Sequence, residues 1–122
     1  MIRFYICKHC GNIITKVEDS TVDVVCCGEE MQEIFANTVD ASQEKHIPVV
    51  EIGEVTTVKI GSVEHPMTEE HHISWVVVAT DKGFELTYLK VSEKPEVVVT
   101  TTNKLIAVYA YCNLHGLWKT EL

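Results

Sequence analysis

From residue 46 onward, short apolar runs alternate with turn residues. The runs at 49–52, 56–60, 73–79, 84–89, 96–101 and 105–111 are rich in Val, Ile, Thr and Tyr, the composition of pleated, half-buried strands. Gly61, Gly83, Pro95 and Asn103 mark turns between them. No stretch of a dozen residues carries a helical period, so six or seven short strands predict an antiparallel β-sandwich. The Cys…Trp…Cys core of antibody domains is missing, which leaves the architecture as the expectation. Upstream, 12–17 and 21–25 alternate weakly and read as small strands, while 36–45 is polar and unpatterned, as a linker would be. The chain thus divides into residues 1–36 and 37–122.

The length of 122 residues, 46 % of them hydrophobic, suits that division. A part of roughly 80 residues can bury a core, whereas one of about 35 needs a metal or disulfides. The first residues lack the apolar run of a signal peptide and no later run approaches a membrane span, which predicts a cytoplasmic protein with no membrane partner. In that reducing setting five cysteines point to metal ligation or redox chemistry. Eighteen acidic against ten basic residues give a net charge of −8, which argues against nucleic acid as a partner. An anionic substrate would be repelled at long range and would need a local positive feature.

Four cysteines fall in the first 27 residues. Cys7-Lys8-His9-Cys10-Gly11 is a metal knuckle, in which two thiolates converge on an ion and glycine permits the tight turn. Cys26 and Cys27 complete a four-thiolate set suited to zinc or iron, and the spacing does not separate the two metals. Adjacent cysteines cannot form a second knuckle, so a distorted tetrahedron is expected. His9, inside the knuckle, is expected to face solvent. A redox dithiol, or merely buried thiols, would explain the same cysteines less fully.

A lone histidine in a β-domain is usually a satisfied polar residue, but here several stand in company. His46 follows Glu44-Lys45, His65 opens His65-Pro66-Met67, His71 and His72 precede a strand, and His115 follows Cys112 by three. Loops cluster at the ends of a sandwich, where these residues could meet. His71 and His72 cannot both face one ion, because successive strand residues point to opposite sides. Imidazoles suit iron, zinc, copper or nickel, and a thiolate is a strong electron donor. Structural zinc prefers four ligands, so five donors favour a redox iron with an open sixth position.

Together the motifs resemble the desulfoferrodoxin family of superoxide reductases: C-K-H-C-G at 7–11, C-C-G at 26–28, E-K-H at 44–46, G-S-V-E-H-P-M at 61–67, His71, and Y-C-N-L-H-G-L-W-K at 111–119. The resemblance covers nearly the whole chain. It implies an all-β fold, with a desulforedoxin-like domain followed by an immunoglobulin-like β-sandwich, and two irons per chain. Cys7, Cys10, Cys26 and Cys27 would bind the first iron. His46, His65, His71 and His115 would give the second its equatorial nitrogens, and Cys112 its axial thiolate. His72 stands where relatives commonly carry an aromatic residue, which favours His71 as the ligand.

The implied reaction is one-electron reduction of superoxide to hydrogen peroxide. Lys45 would be the local positive feature that attracts the anion, and Glu44 would occupy the sixth position after peroxide leaves, both on a mobile loop. A rubredoxin-type electron donor and a homodimer are implied in the same way. The alternative class is a non-enzymatic iron electron carrier or a zinc-stabilised β-sandwich binding module, which leaves the histidines unexplained. A nucleophilic Cys112 activated by His115 would leave the Glu-Lys-His and His-Pro-Met elements without work.

Overall fold

In the computed structural model, residues 2–122 are described, and contacts divide the chain into two compact units, 1–35 and 36–122. The first unit has strands β1 (Phe4–Ile6), β2 (Ile13–Thr15), β3 (Val25–Cys26), β4 (Glu29–Glu30) and β5 (Gln32–Ile34). β2, β1 and β5 form an antiparallel sheet in that order, and β3 pairs with β4 as a minimal hairpin. Its buried hydrophobic residues are Phe4, Cys7 and Met31, while Val17, Val22 and Phe35 are exposed. So little apolar burial makes a cross-link between the strands necessary for stability. Of the strand expected at 21–25 only Val25 is in a strand, and the chain bends at Thr21, where the Asp19 carboxylate accepts the Thr21 N–H at 2.8 Å and φ is 67°.

The second unit opens with one helical turn, α1 (Gln43–His46), at the end of the expected linker. Strands β6 (Pro48–Glu51), β7 (Thr56–Ile60), β8 (Ile73–Thr80), β9 (Gly83–Tyr88), β10 (Glu96–Val99), β11 (Leu105–Cys112) and β12 (Gly116–Glu121) follow. They make two antiparallel sheets, β10-β7-β6 and β12-β11-β8-β9. Val58 and Ile60 from the first sheet pack against Val76, Val78, Val108, Ala110 and Cys112 from the second, a sandwich core filled by alternate residues. β12 is absent from the predicted strands because its residues, Gly116–Glu121, include a single β-branched side chain, Thr120.

The register places the functional motifs together. β6 begins opposite the end of β7, through Pro48 and Ile60, and Cys112 pairs with both Ile73 and Gly116. The end of α1, the β7–β8 connection and the β11–β12 hairpin therefore lie at one end of the sandwich. Among the described residues no helix is long and apolar enough to cross a membrane.

Candidate metal centres

Cys7, Cys10, Cys26 and Cys27 bring their sulfurs within 4.8 Å of one another. The first pair sits on a turn closed by Gly11 N–H to the Cys7 carbonyl at 2.8 Å, with Gly11 at φ 84°. The second pair solves its adjacency through the β3–β4 hairpin. Cys27 and Gly28 are its two loop residues, with φ values of 52° and 77°, the left-handed pair that a tight two-residue hairpin requires. The alternation of a strand is thereby broken, and both thiols reach the cluster. His9 stays outside, its Nε2 3.1 Å from the Glu29 carboxylate.

All five cysteines are free thiols. The backbone N–H of Cys10, first among several causes, lowers Cys7 to about 6, and the Cys10 thiol, first among its neighbours, pushes Cys27 up to about 12. Four sulfurs this close resist joint deprotonation, and a cation among them removes that resistance. The donor set fits zinc or iron chemically.

The second centre is built on fixed imidazole tautomers. The Ser42 carbonyl lies 2.6 Å from His46 Nδ1 and the Pro66 carbonyl 2.7 Å from His65 Nδ1. A carbonyl can only accept, so each Nδ1 carries the proton and each Nε2 presents a bare lone pair. Those lone pairs face each other at 3.1 Å, and His115 Nδ1 lies 3.2 Å from His46 Nε2. His71 Nε2 is buried without a hydrogen-bond partner.

The rings follow a square. Centroids of His46–His65, His65–His71, His71–His115 and His115–His46 are 4.6, 4.6, 5.1 and 5.0 Å apart, with interplanar angles of 74–87°. The His46–His71 diagonal is 6.2 Å. Nitrogens at adjacent corners around an ion at about 2.1 Å would be about 3 Å apart, which matches the 3.1 and 3.2 Å from His46 Nε2 to His65 and His115. Convergent lone pairs repel unless a cation lies among them, so the residues fit a metal.

Cys112 joins this group: its Sγ and the donor atoms of His46, His71 and His115 lie within 4.8 Å of one another. It is fully buried, and burial pushes its thiol up, opposed by the backbone N–H groups of Leu114 and His115. The hairpin returns at Gly116, φ 79°, which lets Cys112 and His115 approach the same point. Burial likewise lowers His46, His65 and His71, with His65 reaching about 4, so all three favour the neutral, ligating form. His72 is not brought in; its Nδ1 lies 2.8 Å from the Thr68 carbonyl.

Glu44 and Lys45 lie on α1. The Glu44 carboxylate accepts its own backbone N–H, which holds its pKa below the ordinary range. Its carbonyl accepts from Val63 N–H at 2.9 Å and the Ser62 hydroxyl at 3.2 Å, so the backbone is clamped and any mobility belongs to the side chains. Lys45 lines a cleft of about 350 Å³ with His65, Met67, Glu64 and Lys94.

Two residues of the quoted motifs take supporting roles that the sequence did not assign them. Trp118 stacks on His46 at 4.7 Å and donates its indole N–H to the His115 carbonyl at 3.2 Å. Its spacing of three from His115 was the available signal. Gly61 carries the β7–β8 connection under α1, where a Cβ would meet the Glu44 carbonyl oxygen at 2.6 Å.

The chain is similar to known proteins along nearly its whole length. The desulfoferrodoxin family model matches residues 38–121, and that of the desulfoferrodoxin N-terminal domain matches residues 2–34. A desulfoferrodoxin from Desulfarculus baarsii is 39 % identical over 121 residues, spanning 98 % of this chain and 96 % of that one. A superoxide reductase from Thermococcus kodakarensis is 34 % identical, covering 68 % of this chain and 90 % of that one. The crystal structure of the superoxide reductase from Treponema pallidum superposes with a TM-score of 0.79 at 39 % identity, covering 99 % of both chains. With both of its units matched and the identity sustained along its length, the chain belongs to the desulfoferrodoxin family.

Proposed function

We propose that the chain is a superoxide reductase that converts superoxide to hydrogen peroxide at the histidine–cysteine centre. The observation that carries this reading is the square of four imidazoles, two with tautomers fixed by backbone carbonyls, with a buried cysteine beside His46, His71 and His115. His46, His65, His71 and His115 would hold the catalytic iron with Cys112, and Cys7, Cys10, Cys26 and Cys27 the other iron. Bound iron supplies the redox chemistry: ferrous iron, superoxide and two protons give ferric iron and hydrogen peroxide.

The remaining work belongs to the chain. The Ser42 and Pro66 carbonyls hold imidazole protons away from the site and make the opposite nitrogens better donors. Cys112 contributes electron density, tempered by the Leu114 and His115 N–H groups. Lys45, on the cleft that His65 also lines, supplies the local positive charge that a chain of net charge −8 needs to attract an anion. It also orients water for protonation. Glu44, two residues before His46, would cover the metal site after product leaves.

The four-cysteine iron principally staples a unit with too small an apolar core to stand alone. A rubredoxin-type donor returns electrons to the enzyme in the cytoplasm. A homodimer is supported by the family resemblance and by the exposed Phe84, Leu86 and Tyr88, which alternate along edge strand β9.

Metal analysis and visible spectroscopy of protein from its native source test the reading. Two irons per chain are expected, with a thiolate-to-ferric band that disappears in Cys112→Ser. Zinc alone would favour the binding module, and an unchanged band in Cys112→Ser would remove the thiolate from the site.

A further inference from the structure

Unlike His46 and His65, His71 has no carbonyl anchor on its ring among the described residues, and its buried Nε2 is unpartnered. Its position must therefore come from its backbone. That backbone lies in a turn closed on itself: Thr68 N–H and Oγ1 donate to the His71 carbonyl at 2.9 and 3.1 Å, and His71 N–H donates to Thr68 Oγ1 at 3.1 Å. Such a turn is internally stiff, but something must fix it relative to the other donors.

We infer that Asn113 is a positioning residue that locks the Cys112 end of the β11–β12 hairpin to the backbone on both sides of His71. This rests on the proposed superoxide reductase centre. Asn113 Oδ1 accepts from His72 N–H at 2.8 Å, and its Nδ2 donates to the Glu70 carbonyl at 3.0 Å. Its own N–H donates to the His72 carbonyl at 3.2 Å. One residue thus makes three bonds to the two neighbours of His71, more than forty positions away in sequence. It follows Cys112 directly and precedes the two N–H groups that face the Cys112 sulfur. The turn that carries His71 and the hairpin end that carries Cys112 are consequently held together by this one residue, with the His72 N–H···Oδ1 bond as the contact the test below isolates. Asn113 is exposed, so its loss opens no cavity in the core.

Asn113→Ala and Asn113→Asp test this, because the second keeps an acceptor for His72 N–H. In the metal-free chain, Asn113→Ala should make the His72 amide exchange about tenfold faster. Iron affinity at the second centre should fall about 10- to 100-fold, the usual cost of removing a support behind a ligand. The four-cysteine iron should remain, and Asn113→Asp, which keeps the acceptor for His72 N–H but sets a carboxylate oxygen against the Glu70 carbonyl, should restore the amide protection and only part of the affinity. Unchanged His72 exchange in Asn113→Ala, unchanged iron affinity in Asn113→Ala, or His72 exchange as fast in Asn113→Asp as in Asn113→Ala would each overturn the inference. A parent protein that binds no second iron would instead contradict the proposed function, and His72 exchange in the metal-free chain would still decide whether Asn113 holds the turn.

Discussion

His65 shows how one buried ring ties stability to pH. It is 1 % exposed, and burial lowers its pKa from 6.5 to about 4. Between those values the unfolded chain binds a proton that the folded chain refuses, so folding stability rises with pH across the window. The metal-free chain should lose at most about 3 kcal/mol from this group as pH falls from 6.5 to 4. Urea unfolding at several pH values checks it, and a flat profile would show that native His65 is readily protonated. Lys45 tests charge rather than burial: Lys45→Ala should slow the reaction with superoxide roughly tenfold or more at low ionic strength, with iron content intact. An unchanged second-order rate would remove Lys45 from the mechanism. The donors themselves were legible because Cys and His chemistry is narrow and their neighbours distinctive. Which of His71 and His72 turns inward depended on the Thr68 and Asn113 contacts, which no spacing rule encodes.

Among the elements, the valine-rich strands were readable because β-branched composition marks them even in β8 and β11, where successive residues are buried on both faces. β12 was not, since Thr120 is its single β-branched residue. The Cys26-Cys27 pair looked geometrically awkward until the hairpin supplied two left-handed residues. α1 presents a similar case, for its single turn depends on tertiary contacts with 61–63 rather than on helix propensity. Gly61→Ala would drive a methyl group into the Glu44 and Ile47 carbonyl oxygens, 2.6 and 2.9 Å from the new carbon. We expect a loss of about 1–3 kcal/mol in stability and weaker iron binding at the second centre alone. Thermal unfolding with metal analysis reads both, and a variant equal to the parent in both would show that α1 can shift freely.

For the whole molecule, the open question from sequence was convergence. Residues 46, 65, 71, 112 and 115 come from three separate segments, and only the pairing of β6 with β7, β8 with β11 and β11 with β12 carries them to one end of the sandwich. A sandwich was legible from strand count, but its strand order was not, because antiparallel strands of similar composition can be arranged in several ways. If the four-cysteine unit is mainly a staple, Cys10→Ser should lose the first iron yet keep the second and most of the superoxide reduction. Loss of turnover with the second iron still bound would make the first iron an electron relay. The most direct measurement mixes anaerobically reduced protein with superoxide and follows peroxide, oxygen and iron oxidation together. Reduction predicts one peroxide formed and one ferrous centre oxidised for each superoxide consumed, with no oxygen released. Oxygen evolved with half that yield of peroxide, or a ferrous centre that does not react, would contradict the assignment.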